Sequence, residues 1–259
     1  MDKKSQAKEL RNIIERYIDQ NVKIPTFETV DKDFHAQDRI ASILTLLRVS
    51  LDCIREQGSF FDEEYMSSVN LTKQEWERQV DILVKDVYID RTSQEGAKIL
   101  ESYSTRKYLL AYVNKEMNWV AVSILSASYI SASILMRSIF ELLIGIATRK
   151  TGKMGDRIET ISFLSPKEKI EMRKLWGDLC SWSHPYGKWV KEACPVFISF
   201  RPMFHSRLCT LSIGRLERLT DLLLVIALEK FKVDKEDLLR RINKYKIDVS
   251  NLTLFQDRC

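Results

Sequence analysis

Apolar side chains recur three and four positions apart along most of this chain, which is the spacing of an α-helix that buries one face. The first two such segments stop at a helix breaker, Pro25 and Gly58 respectively. Taken in order, the pattern predicts helices over about 6–20, 34–57, 72–88, 92–115, an apolar segment to about 150, 165–181, 206–232 and 234–247.

Three helix starts carry a specific capping signal. Thr72-Lys-Gln-Glu75 and Thr92-Ser-Gln-Glu95 are capping boxes, in which a hydroxyl and a carboxylate bind the free N–H groups of the first turn. Ser165-Pro166-Lys-Glu168 adds a proline at the first helical position and is the strongest of the three.

The ends of the apolar segment are less well marked. Asn114 and Asn118 are the expected break between it and the helix before it, and Gly152-Lys-Met-Gly155 indicates a loop after it. Val196-Phe-Ile-Ser-Phe200 is the one plausible strand in the sequence.

Composition agrees with a helical fold. The 259 residues include only 8 Gly and 5 Pro, too few for the many turns of a β-rich protein. No linker or repeat divides the chain. We therefore expect one all-α domain over residues 1–259, an antiparallel helical bundle of about seven to eight helices. In it, helices of residues 1–115 pack on a core formed by 116–259.

The stretch from Met117 to Met136 contains no charged residue, which is long enough for a membrane span. Five serines lie within it, and Arg137 and Glu141 follow while the helical pattern continues. Charges so close to the hydrocarbon are unfavourable, so a core helix of the protein is the preferred interpretation and no membrane association is expected.

Charge is distributed unevenly. Residues 149–259 hold 22 Lys and Arg against 14 Asp and Glu, a net +8, whereas residues 1–148 hold 19 against 22, a net −3. A basic half suits phosphate or an acidic partner, although lysine-rich helices also give an ordinary solvated surface. The five cysteines form no C-x-x-C pair and only three histidines occur, so no metal or cofactor is expected. The N-terminus lacks an apolar signal core, so we expect a cytoplasmic location.

Arg137 and Glu141 are four residues apart and share a helix face within an apolar segment. We expect both to be buried and paired, because an unpaired buried charge is costly. Two interpretations remain open at this point. They form either an ion pair that fixes helix register or a polar site set into the core.

His184 stands near the end of the helix that begins at Ser165, before Pro185. Beside Glu141 it would be poised as a general acid or base, which makes Arg137, Glu141 and His184 the candidate catalytic residues. Alternatively, it closes the helix C-terminus, where its charge is favoured. The surrounding aromatic residues either pack or stack a base. The candidate binding residues are Trp176, Trp182, Tyr186, Lys188, Arg201 and His205.

Two short segments carry a family resemblance. Arg137-Ser-Ile-Phe-Glu141 and Trp176-Gly-Asp-Leu-Cys-Ser-Trp-Ser-His-Pro185 resemble the HEPN superfamily of prokaryotic all-α proteins, over about residues 115–190. The resemblance implies an antiparallel bundle, often dimeric. Many members are metal-independent ribonucleases of toxin–antitoxin, abortive-infection and CRISPR systems.

Those ribonucleases use an Arg, four to six residues, and then a His. No Arg precedes His184 at that distance, and Arg201-Pro-Met-Phe-His205 has three intervening residues, one too few. The sequence therefore predicts a non-catalytic helical protein, cytoplasmic and homodimeric, that binds RNA or another protein in prokaryotic defence or stress response. The alternative is a divergent ribonuclease that assembles Arg137 and His184 in space.

Overall fold

The computed structural model describes residues 34–58, 72–78, 94–148, 150–183 and 205–258. These residues form nine helices and no strand. The helices are α1 (Phe34–Gln57), α2 (73–78), α3 (Gln94–Leu125), α4 (Tyr129–Thr148), α5 (Met154–Glu159), α6 (Pro166–Ser183), α7 (Ser206–Glu229), α8 (Lys235–Lys244) and α9 (Thr253–Gln256). The all-α prediction is confirmed. The additional helices are α5 and α9, each too short to produce a periodic pattern.

Helix α7 lies at the centre of the bundle. Its residues 222–227 are all buried, on every side of the helix, because α1, α3, α4 and α9 pack around it. Helix α4 is the second core element and contacts α3, α5, α6 and α7. The segment 222–227 of α7 is apolar on all sides of the helix, and such a helix has to be enclosed by others.

The uncharged stretch 117–136 is two helices and the turn between them. The expected break at Asn114 and Asn118 is wrong: both lie inside α3, where the Asn118 side chain donates to the Asn114 carbonyl. The chain turns instead at Ala127, in the left-handed region with φ 56°. Ser128 N donates to Ser123 O, and Ala127 N to Ile124 O, the two bonds of a Schellman motif.

Among the described residues, one helix is long and apolar enough to cross a membrane by length and composition, namely α4. Half of the apolar stretch of α4 is buried inside the protein. Its buried face, including Phe140, Leu143 and Ile144, packs in the core.

The predicted helix starts are confirmed where the structure describes them. Ser165 N donates to Glu168 at 2.6 Å and Glu168 N donates to Ser165 Oγ at 3.3 Å, so the capping box before Pro166 is formed. Thr72 and Glu75 make the same pair at the start of α2. The predicted helix 6–20, the Thr92 box and the strand at 196–200 lie outside the described residues.

The C-terminal segment is fixed to the core by two charged side chains. The buried carboxylate of Asp221 in α7 accepts hydrogen bonds from Leu254 N and Phe255 N, which begin α9. Arg258 binds Glu168 at 2.7 Å and donates to the Phe163 carbonyl. These contacts join the C-terminal segment to the interior of α7 and to the first turn of α6, with the charged groups largely buried.

Candidate functional site

Arg137 and Glu141 are paired across one turn of α4, with 3.4 Å between Arg137 Nε and Glu141 Oε1. The expectation that they are buried is wrong: their side chains are 34% and 45% exposed. The apolar residues that lie between Arg137 and Glu141 in the sequence face the core. Arg137 and Glu141 lie on the solvent-facing side of α4, beside Ile134, which is half exposed. Solvent can therefore reach both charges, as a binding site requires.

Trp176 of α6 forms a platform under Arg137. The guanidinium carbon lies 5.2 Å from the centroid of the Trp176 ring, within the range of a cation–π contact. The other neighbour of that ring is Phe140, stacked with centroids 5.6 Å apart. Arg137 Nη1 also lies 3.5 Å from Ser183 Oγ, at the last residue of α6. The guanidinium is thus held from three directions while part of it faces solvent.

Cys180 lies on the same face of α6, one turn beyond Trp176. Burial raises the pKa of its thiol above the ordinary value, and the charge of Glu141 acts in the same direction while Arg137 opposes it. The thiol is therefore protonated at neutral pH. Since the thiolate is the nucleophile, this site does not suit cysteine-based covalent catalysis.

A second arginine, Arg157 of α5, reaches the same face of α4. Its Nη2 lies 3.4 Å from the backbone carbonyl oxygen of Glu141. The side chain passes over Gly145, where an added Cβ would lie 3.4 Å from Nη2. Sequence reasoning missed Arg157; the available signal was a glycine inside an otherwise apolar helix, which often marks a close approach.

Trp182 lies on the opposite face of α6 and does not join the Arg137 cluster. It is buried, and Arg215 of α7 lies over its ring at 4.6 Å from the centroid. Arg215 also binds Asp178 at 2.7 Å and is 7% exposed. Trp182, predicted as a binding residue, is therefore found in a buried contact that fixes α6 to α7.

His205 is also found in a structural contact. It is the N-cap residue of α7, and its Nδ1 accepts a hydrogen bond from Leu208 N. Its backbone N–H donates to the hydroxyl of Tyr129 at the start of α4. Burial raises the pKa of Tyr129 to about 12, so that hydroxyl stays neutral. Eight helical residues separate Tyr129 from Arg137, about 12 Å along α4.

The remaining predicted site residues, His184, Tyr186, Lys188 and Arg201, lie outside the described residues. His184 directly follows Ser183 in the chain, and Ser183 is the residue that Arg137 approaches. Within the described part of the chain, no group of three or more His, Cys, Asp or Glu side chains is arranged to hold a metal ion.

Comparisons with models of protein families, with curated proteins and with solved structures gave no match.

Proposed function

We propose that this protein is a non-catalytic helical protein that binds RNA through the surface of α4 and α6 centred on Arg137. The observation that carries the proposal is the position of the Arg137 guanidinium, stacked on Trp176, paired with Glu141 and still one-third exposed. An arginine oriented in this way has already lost much of its side-chain freedom, which lowers the entropic cost of binding a ligand.

The chemistry of the site favours phosphate. A guanidinium offers five N–H donors in a planar fork that matches phosphate oxygens. The contact with Glu141 uses Nε, and an exposed pair of this kind is weak enough for a phosphate to share the cation. Arg157 adds a second positive charge at the backbone carbonyl of Glu141, and residues 149–259 carry a net +8. The resemblance to HEPN proteins points to RNA as the source of the phosphate.

Binding of a fluorescein-labelled single-stranded RNA, followed by anisotropy, tests the proposal. We expect Arg137→Gln to weaken binding about 10- to 100-fold, because a hydrogen bond to a charged group contributes about 1.5–3 kcal/mol. The slope of log K against log salt should fall by about 0.7, as expected for one lost phosphate contact on a single strand.

Arg55→Gln is the matched control. Arg55 is an ion-paired arginine on α1, outside the surface of α4 and α6, bound to Asp52 at 3.0 Å and mostly exposed. Its loss should leave the affinity unchanged apart from a small effect on the total charge. Equal losses in the two variants would indicate nonspecific charge attraction and would exclude a site at Arg137.

Catalysis is the second candidate, and one observation favours it. Ser183 brings the end of α6 to within 3.5 Å of Arg137, and His184 is the next residue. An Arg that stabilises phosphate and a His that acts as general base would suffice for metal-independent RNA cleavage. Labelled RNA incubated in EDTA with wild type, His184→Ala and Arg137→Ala tests this. Cleavage by wild type alone supports a ribonuclease; intact RNA throughout excludes one.

The cytoplasmic location, the homodimer and the part in prokaryotic defence are proposals that accompany the resemblance. Sedimentation of the purified full chain over a concentration series tests the dimer directly. A monomer at all concentrations would remove that part of the proposal without affecting RNA binding.

A further inference from the structure

Arg157 has a donor without a described partner. Its Nε is buried, and no hydrogen-bond acceptor lies within reach among the described residues. Buried polar groups are nearly always hydrogen-bonded, so this donor indicates that the described residues do not satisfy the Arg157 guanidinium in full. Among those residues, the guanidinium donates from Nη2 to the Glu141 backbone carbonyl, at 3.4 Å.

Arg157 and Arg137 approach the same residue from two sides. Arg137 Nε contacts the Glu141 carboxylate at 3.4 Å, and Arg157 Nη2 contacts its carbonyl at the same distance. No salt bridge of Arg157 occurs within the described part of the chain. Two arginines therefore lie beside Glu141, one at its carboxylate and one at its backbone carbonyl.

Gly145 leaves space for the Arg157 guanidinium against α4. It lies one turn after Glu141, and an added Cβ would stand 3.4 Å from Arg157 Nη2, in contact with the guanidinium. A glycine inside a helix costs stability relative to alanine, by roughly 1 kcal/mol. The glycine at this position leaves space for the Arg157 guanidinium.

We propose that Arg137 and Arg157 form a two-arginine site that binds two neighbouring phosphate groups, with Gly145 as the seat of Arg157. The inference rests on the proposed RNA function for the origin of those phosphates. A ligand with two adjacent negative charges can engage both guanidiniums and can outweigh repulsion by Glu141. A single monovalent anion can do neither. Consecutive phosphates of an RNA strand and inorganic pyrophosphate share this chemistry.

Three variants test the site by RNA anisotropy. Arg157→Gln should weaken binding about tenfold or more. In the double variant with Arg137→Gln, the fold loss of RNA affinity should be smaller than the product of the two single losses if one ligand segment bridges both arginines. Gly145→Ala should weaken binding without changing any charge, because its methyl group would lie against the Arg157 guanidinium, 3.4 Å from Nη2, and restrict its movement toward a ligand.

Gly145→Ala also separates binding from stability. Alanine favours the helix, so this variant should melt no lower than wild type while it binds RNA less well. Gly214→Ala in α7 is the matched control, because a Cβ there meets nothing within 4 Å. The inference would be overturned if both Gly145→Ala and Arg157→Gln bound RNA as tightly as wild type. If Arg157→Gln does not fold, the RNA affinity of Gly145→Ala alone decides the test.

Inorganic pyrophosphate, titrated by calorimetry, distinguishes the inference from the proposed function. Pyrophosphate bound by wild type but not by the two arginine variants, without RNA binding, would support the two-arginine site and overturn the RNA function. RNA binding that depends on Arg137 alone would support the function and overturn the site. Absence of binding by both ligands would overturn both.

Discussion

The Glu141 carboxylate lies 3.4 Å from Nε of Arg137, one helical turn away, on a face of α4 that solvent reaches. In this position Glu141 has two opposite effects on a ligand. It orients the guanidinium, and it repels the phosphate that the guanidinium would bind. Because Trp176 and Ser183 also hold the guanidinium, the orienting contribution of the exposed Glu141 pair is small, and repulsion is the larger effect.

Glu141→Gln should therefore strengthen RNA binding. The glutamine keeps an oxygen acceptor for Arg137 Nε and removes the negative charge, so we expect a severalfold lower Kd at low salt. The difference between variant and wild type should shrink as salt screens the repulsion. Anisotropy titrations at two salt concentrations measure this. Weaker binding by Glu141→Gln would mean that the carboxylate itself contacts the ligand.

A buried carboxylate should make stability depend on pH. Burial raises the pKa of Asp221 to about 6, although the Leu254 and Phe255 N–H groups and Arg258 act in the opposite direction. An unfolded Asp has a pKa near 3.9, so the folded state binds this proton more tightly. The stabilisation is complete below about pH 4 and is lost as the pH rises through about 6.

Asp221→Asn isolates this effect from the other titrating groups. Relative to the variant, wild type should lose about 3 kcal/mol of unfolding free energy between pH 4 and pH 8, from a shift of about two pKa units. Urea denaturation of both proteins at several pH values provides the comparison. A constant difference between them across this range would contradict the raised pKa.

Arg258 should contribute strongly to stability. It binds Glu168 at 2.7 Å and Glu229 at 3.4 Å, with only 13% of its side chain exposed. Burial alone would raise the pKa of Glu168, but hydrogen bonds from Arg258 and Ser165 outweigh burial and lower it. Glu168 therefore stabilises the fold above its unfolded pKa, and this contribution is lost as the pH falls through the lowered value.

Arg258→Met should cost about 3 kcal/mol at pH 7, because it leaves a buried carboxylate without its counter-charge. The cost should decrease as the pH falls through the lowered pKa of Glu168, because the carboxylate then becomes neutral. Chemical denaturation over a series of pH values measures it. Arg173→Met, which breaks an exposed ion pair, should cost less than about 1 kcal/mol, and similar losses in the two variants would rule out this account of Arg258.

Helix positions were predictable where the chain carries explicit end signals. The predicted bounds 34–57 match α1, because the apolar stripe stops at Gly58. A Cβ at Gly58 would lie 2.3 Å from the Ile54 carbonyl oxygen, so only glycine fits this helix end. The turn between α3 and α4 escaped prediction because its left-handed residue is Ala127, which carries no such signal.

The site was predictable in its residues but not in its exposure. Helical spacing placed Arg137 and Glu141 on one face, and the pair forms as expected. Periodicity could not reveal that this face points to solvent, because apolar residues flank it on both sides. Arg215 was missed for a related reason: it occupies a position on the buried stripe of α7, where its partners Asp178 and Trp182 come from another helix.

The role of His205 can be decided by two substitutions, because capping and ligand binding make different demands on the side chain. As N-cap, His205 needs an acceptor for Leu208 N, at 3.4 Å from Nδ1. His205→Ala removes it and should cost about 1 kcal/mol, whereas asparagine is a preferred N-cap and His205→Asn should retain the wild-type stability. Thermal unfolding tests this order. RNA affinity should be unchanged in both variants, since Tyr129, which His205 contacts, lies about 12 Å from Arg137 along α4. A stable His205→Asn variant that no longer binds or cleaves RNA would instead assign His205 to the functional site.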